Sequence, residues 1–286
     1  GVEMKPKKVD GKTASEQANA LAADGYEVFK KYSGEGGIKA EYEQTAADQW
    51  KDGANVVEYL GHDAPWSNGK VGMYGMSYDA ETQISTAGLG NPTKTKYLKA
   101  IVPVASVGGQ YDWNYMDGVP WTGATLFGNA GYLAEVSLWP GSEIAPQHYP
   151  EKLECQAEMM SEGTNTTGDY TPYWKRRELR QGAGNVKAAT LMVHGLRDFN
   201  VQPITLAGYF NRLPETTPHK GVFGVWDHAL PGEHENVEPT WARADWYEMV
   251  GAWYDRYLKG KDTNVEQWPD VQVQSNTGQW WTVDEY

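Results

Sequence analysis

A chain of 286 residues has room for one large or two small domains with a core of their own, which excludes a small scaffold held together by cross-links. Its single cysteine, Cys155, can form neither an internal bridge nor a cysteine-based zinc site. With 25 Lys and Arg against 38 Asp and Glu, the net charge of −13 repels nucleic-acid phosphates and anionic membrane surfaces, and no apolar run approaches the roughly 18–20 residues that cross a bilayer. The aromatic content is biased towards 13 Trp and 18 Tyr beside 5 Phe, rings with a polar edge that suit clefts and interfaces.

Residues 1–12 are polar and Lys-rich and read as a tail. The Ala/Leu spacing of Thr13–Ala23 predicts a helix, and Gly25–Phe29 a short strand, followed by a Gly-rich break at Ser33–Gly37. Ala46, Ala47, Trp50, Ala54, Val57 and Leu60 recur at helical spacing and stop at Gly61, so Ala40–Leu60 is a helix with one buried face. Lys70–Met76 is a short apolar run that ends in Gly75-Met76-Ser77 and continues into a helix through Gly88. Three more apolar runs follow, in Tyr97–Ser106, Ala188–Gly195 and Gly221–Trp226. Continuous rather than alternating apolar runs mark strands covered on both faces, and with a helix over Thr240–Leu258 they predict an α/β fold with a mainly parallel sheet. The stretch from Val107 to Gly184 exceeds what a crossover needs and is rich in Trp, Tyr and Gly, so it reads as a cap over the active edge. The polar alternation of Val271–Gln274 and Gln279–Trp281 reads as the first strand of a separate, truncated β domain. The expected organisation is an α/β core over 1–106 and 185–262, cap over 107–184, and linker plus β-domain strand over 263–286.

A strand that ends in Gly-x-Ser and turns straight into a helix is the pattern of a nucleophile elbow, with Ser77 as nucleophile. A serine hydroxyl needs an imidazole to take its proton, and the imidazole needs a carboxylate to fix its tautomer and stabilise its charged form. Asp198 follows one strand end and His228 the next, in the order Ser, acid, His, at the sheet edge where α/β folds gather their catalytic groups. His234 is the rival base, and His228 is preferred because it lies nearer the strand terminus. His62, His148 and His219 fall in predicted loops, where a solvated role is the default, and His194 reads as an orienting or packing residue. Asp227 is set aside as the acid because neighbours in an extended segment point in opposite directions. A metal set of His228, Glu233, His234 and Glu235 lacks a His-Glu-x-x-His helix; no metal and no cofactor are expected.

At these residues the sequence resembles the family of Xaa-Pro dipeptidyl-peptidases, which also holds cocaine-esterase-like and α-amino-acid ester hydrolases of the α/β-hydrolase fold. The resemblance is carried by Trp66-Ser67-Asn68-Gly69-Lys70-Val71-Gly72-Met73-Tyr74-Gly75-Met76-Ser77-Tyr78, by Thr167-Gly168-Asp169-Tyr170 with Tyr173-Trp174, and by His194-Gly195-Leu196-Arg197-Asp198-Phe199-Asn200-Val201, and extends from about Ala20 to Gly260. It implies a triad of Ser77, Asp198 and His228, an oxyanion-hole donor in the backbone N–H of Tyr78, and a proline pocket formed by Tyr78, Tyr111, Trp113 and Val201. Two departures stand out: Ala80 replaces the family's glycine three residues after the serine, and Lys30–Gly37 does not match the family's Asp-x-Arg-Gly loop. The family's first strands, with the tyrosine that completes the oxyanion hole, are expected before Gly1, and its jelly-roll domain after Tyr286.

The function expected is release of Xaa-Pro dipeptides from peptide N-termini through an acyl-enzyme on Ser77. An esterase or amidase of small acyl or α-amino-acid esters on the same triad is the alternative, and a non-catalytic carbohydrate-binding or scaffold protein on a degenerate hydrolase fold is a second. The partner is thus a proline-containing peptide or small ester, with nucleic acid and membrane disfavoured and the oligomeric state open. Few Lys and Arg beside abundant Trp, Tyr, Thr and Gly incline the reading towards secretion, and Asn165-Thr166-Thr167 is a glycosylation sequon that means nothing in a bacterial source.

Overall fold

The structure, a computed structural model, describes residues 46–120, 161, 167–232 and 241–283. Helix α1 (Ala46–Glu58) runs into a π-helical turn (Tyr59–Asp63) and leads to strand β1 (Val71–Met76), helix α2 (Tyr78–Leu89), the single turn α3 (Pro92–Thr95) and β2 (Leu98–Val104). The insertion opens with α4 (Gln110–Asn114) and the small hairpin β3 (Tyr115–Met116) and β4 (Val119–Pro120), and re-emerges at α5 (Pro172–Lys175) and a 3-10 turn (Leu179–Asn185). Strand β5 (Ala189–Gly195), α6 (Ile204–Phe210), β6 (His219–Gly224), α7 (Trp246–Lys259), a 3-10 turn (Val265–Gln267), β7 (Val271–Gln274) and β8 (Trp280–Val283) complete the order. The expected helix Thr13–Ala23, the strand Gly25–Phe29 and the Lys30–Gly37 loop lie outside the described residues.

Six strands form one sheet in the order β1-β2-β5-β6-β7-β8, parallel throughout except for the last pair. The expected α/β architecture is therefore observed, and the apolar runs explain it: side chains alternate between two buried faces. On one face Ile101, Met192, Phe223 and Val271 pack against Val57 of α1, Ile84 and Ala87 of α2, and Leu206, Tyr209 and Phe210 of α6. On the other, Ala100, Val102, Leu191, Val193 and Val222 meet Trp246, Met249 and Trp253 of α7. Because β1, β2, β5 and β6 are parallel neighbours, their C-terminal ends lie along one edge, and Ser77, Asp198 and His228 all follow those ends.

Three boundaries differ from expectation. The segment 271–283 does not open a separate β domain: β7 pairs with β6 in parallel, Gly221 opposite Val271 and Phe223 opposite Val273, and β8 closes the same sheet antiparallel to β7. Alternating polarity marks any half-covered strand, and near the margin of an α/β sheet it is indistinguishable from that of a different sheet. The described residues, through β8, fall within one compact unit. The cap gives way to the core before Gly184, since Leu179, Ala183 and Val186 are buried with α2 and α6. Finally, α7 begins at Trp246 rather than near Thr240. Arg243 N–H donates to the Pro231 carbonyl at 2.9 Å and the Arg243 side chain pairs with Asp245, which holds 241–245 as a turn.

Candidate active site

Ser77 stands between β1 and α2 with φ 61° and ψ −123°, a conformation that costs an L-residue of order 1–3 kcal/mol and persists only when its surroundings impose it. They do so here through backbone bonds on both sides. Ser77 N–H donates to the Val104 carbonyl at the end of β2 (2.9 Å), and its own carbonyl accepts from Ala80 and Glu81 at 3.0 Å as α2 begins. The chain reverses so tightly that a Cβ at Gly75 would lie 2.4 Å from the Asp79 Cβ, so glycine is required there. Ala80, where the resemblance has glycine, is fully buried without disturbing the turn. Tyr78 is the first residue of α2, which places its N–H at the positive end of the helix.

A buried amide that the sequence reading passed over braces this elbow. Gln83 Nε2 donates to the carbonyls of Gly75 (3.3 Å) and Asp79 (3.1 Å), and Gln83 Oε1 accepts from Val102 N–H (3.0 Å), so one side chain ties together β1, the turn and β2. One turn into α2, Glu81 is also buried and accepts from Gln110 Nε2 at 2.6 Å. Burial pushes its carboxyl up to about 7, against which the hydrogen bond from Gln110 pulls. A lone Gln or Glu in a helix reads from sequence as solvent-facing, so no sequence signal marks either residue.

Asp198 is 4% exposed and sits in the turn that leaves β5. Its Oδ1 accepts from the N–H groups of Asn200 (2.9 Å) and Val201 (2.8 Å), and Oδ2 accepts from His228 Nδ1 at 2.7 Å. Burial alone would raise this carboxyl, but hydrogen bonds and charge from His194 and His228 outweigh it and hold it at about 2. It is therefore an anion at any physiological pH, and His228 Nδ1 carries the proton, which leaves Nε2 as the basic face. The two loops lie directly against each other. Leu196 and Arg197 N–H donate to the carbonyls of Gly224 (2.7 Å) and Trp226 (3.2 Å), and a Cβ at Gly195 would lie 2.3 Å from the Trp226 oxygen. The His228 loop has a further anchor from the C-terminal strand: buried Gln274 of β7 accepts from Val225 N–H at 3.2 Å.

Of the residues expected to form the pocket, Trp113 and Val201 come together with Val107 in a small buried apolar cluster. Tyr78 lies half exposed at the elbow. Tyr111 belongs to the adjoining aromatic group, stacked on Tyr115 (5.2 Å between centroids) and edge-on to Tyr170 (5.2 Å) and Trp174 (6.0 Å), with its hydroxyl donating to the Gly168 carbonyl. The aromatics at the two ends of the insertion thus bury one another, with Tyr115, Tyr173 and Trp174 nearly inaccessible. His62 is a surface residue paired with Asp63, and His219, expected in a loop, opens β6 against Phe210. His148, His234, Glu233, Glu235, Cys155 and Trp121 lie outside the described residues. Among the described residues no group of three or more His, Cys, Asp or Glu could hold a metal ion, and no helix is long and apolar enough to cross a membrane.

A parallel sheet that lifts a serine on a strained elbow, with a hydrogen-bonded Asp-His pair following strands of the same edge, defines an α/β-hydrolase fold. The chain belongs to the X-Pro dipeptidyl-peptidase (S15) family, whose model matches residues 4–230 and so includes Ser77, Asp198 and His228. It is 29% identical over 218 residues to the Xaa-Pro dipeptidyl-peptidase of Lactobacillus delbrueckii subsp. bulgaricus, covering 74% of this chain and 26% of that protein. With the Xaa-Pro dipeptidyl-peptidase of Lactobacillus helveticus it shares 28% identity over 262 residues, or 81% of this chain and 30% of that one. The chain therefore spans about a quarter to a third of the length of the curated relatives it matches. Among solved structures, a CocE/NonD family hydrolase from Staphylococcus aureus matches 85% of this chain and 39% of its own with a TM-score of 0.60 at 20% identity. An α-amino acid ester hydrolase matches 83% of this chain and 42% of its own with a TM-score of 0.54 at 18% identity. These two likenesses are likenesses of fold.

Proposed function

We propose that this chain carries the hydrolytic core of a serine peptidase that releases Xaa-Pro dipeptides from peptide N-termini. The observation that carries the reading is Ser77 held at a positive φ on the sheet edge that also presents the hydrogen-bonded Asp198–His228 pair. Ser77 Oγ attacks the carbonyl carbon of the proline residue while His228 Nε2 takes its proton and returns it to the leaving amine. Asp198 keeps the imidazole in the tautomer with Nδ1–H and stabilises its charged form. The Tyr78 N–H faces the oxyanion that develops, and a donor of this kind contributes roughly 3–4 kcal/mol to transition-state stabilisation. Water, activated by the same histidine, then releases the acyl group. The apolar cluster of Trp113 and Val201, with Tyr78 and Tyr111 proposed as the other contacts, suits the flat pyrrolidine ring of proline.

The test joins an active-site probe to a choice of substrates. A fluorophosphonate should label this chain and fail to label the Ser77→Ala variant; equal labelling of both refutes the triad. Xaa-Pro anilides and short-chain nitrophenyl esters offered side by side decide the substrate, and turnover of the ester without the anilide assigns the chain to the ester hydrolases instead.

A further inference from the structure

Helix α4 has five residues, too few to be stable alone. It is held by ties to four different segments. Gln110 donates to Glu81 of α2, the Tyr111 hydroxyl to the Gly168 carbonyl, Asp112 pairs with Arg180 of the 3-10 turn, and Trp113 Nε1 donates to the Asn200 carbonyl at 2.6 Å. The last tie reaches the acid turn itself. There the N–H groups of Asn200 and Val201 are both taken by Asp198 Oδ1, and the Val201 carbonyl accepts from His194 Nε2 at 2.8 Å. All four polar backbone groups of residues 200 and 201 are thus bound, two by the acid and two by ring N–H donors from outside the turn. The His194 ring is fully buried, and its Nε2 also lies 3.5 Å from Asp198 Oδ2. Nε2 is taken up by the Val201 carbonyl, and Nδ1 makes no hydrogen bond among the described residues. Both contacts of that ring are therefore to the acid turn.

We infer that Trp113 and His194 are positioning residues for the triad acid, clamping the turn from its two sides so that the Asp198 carboxylate faces His228. Trp113 also stands in the apolar cluster with Val107 and Val201. The pocket wall and the geometry of the triad are consequently one mechanical unit. A wall residue alone would act on binding, whereas a clamp acts on the chemical step even for an acyl group too small to reach the wall. The inference rests on the assignment of Ser77, Asp198 and His228 made above.

The experiment measures the rate of fluorophosphonate labelling at Ser77, together with kcat and KM for nitrophenyl acetate. Trp113→Phe keeps the aromatic face and removes the N–H. It should slow labelling and lower kcat for acetate by about tenfold or more, since small misplacements near a triad cost up to about a hundredfold, while the KM for acetate stays unchanged. Unchanged labelling and acetate turnover, with only a raised KM for an Xaa-Pro anilide, would make Trp113 a wall and overturn the inference. His194→Ala removes the other tie to the same turn and should slow labelling similarly, and His194→Gln, whose amide can donate to the Val201 carbonyl, should restore most of the rate. Equal labelling of this chain, H194A and H194Q also overturns the inference. A chain without substitution that resists labelling would instead sink the triad assignment beneath it.

Discussion

Replacing the buried carboxyl behind the elbow with its amide, Glu81→Gln, should leave stability nearly unchanged in mild acid and raise it in mild base. The side chain is 5% exposed, and its one hydrogen bond, from Gln110 Nε2, survives the exchange because the amide oxygen accepts equally well. In the unfolded chain the carboxyl titrates at its ordinary 4.5, and in the fold at about 7. Between those values the native state keeps a proton that the unfolded state has lost, so stability falls as pH rises through this window and levels off above it. The full loss is roughly 3 kcal/mol, at 1.36 kcal/mol for each pH unit separating the two values. Urea denaturation of both proteins at pH 5 and pH 8 isolates the effect, because every other titrating group is common to the pair. The advantage of E81Q should grow by roughly 2–3 kcal/mol between the two conditions. A difference that does not change with pH would show that Glu81 holds no proton near neutrality, and the account of its burial would fall.

Asp198→Asn should keep the fold and lower kcat by roughly 10³–10⁴-fold, because the amide favours the wrong imidazole tautomer; steady-state kinetics beside a circular-dichroism spectrum checks both halves. Gly75→Ala should destabilise the chain or prevent folding, since the added methyl would stand 2.4 Å from the Asp79 Cβ; a thermal midpoint equal to that of the unaltered chain would refute this. Gln274→Ala should cost about 1–3 kcal/mol by leaving the Val225 N–H without its acceptor, and should lower kcat more than it raises KM. A full-rate variant would show that the His228 loop needs no support from β7.

Local signals carried the parts of the site that were legible in the sequence. Gly75-Met76-Ser77 announces a sharp turn because glycine before serine leaves room for the following helix, and Asp198 and His228 were legible because each follows an apolar run closely. The two apolar faces of β2, β5 and β6 were readable for the same reason: a buried parallel strand has no polar side to hide. Legibility ended where the answer depended on which neighbour a segment finds. Val271 and Val273 alternate with Gln272 and Gln274 whether they border this sheet or begin another, and only pairing with β6 decides. Buried amides failed differently. Gln83 and Gln274 look like surface residues, yet each satisfies a backbone group that strand pairing leaves over. The turn at 241–245 escaped because its residues suit a helix well enough and are held out of one by a bond to the distant Pro231.

Gln274 also sets an order of events. During synthesis Ser77, Asp198 and His228 all leave the ribosome before the strand that steadies the histidine loop. The elbow and the acid turn can therefore assemble while the base still lacks its last support. A chain that has not yet added β7 holds all three residues of the proposed triad and still lacks the anchor of its histidine loop.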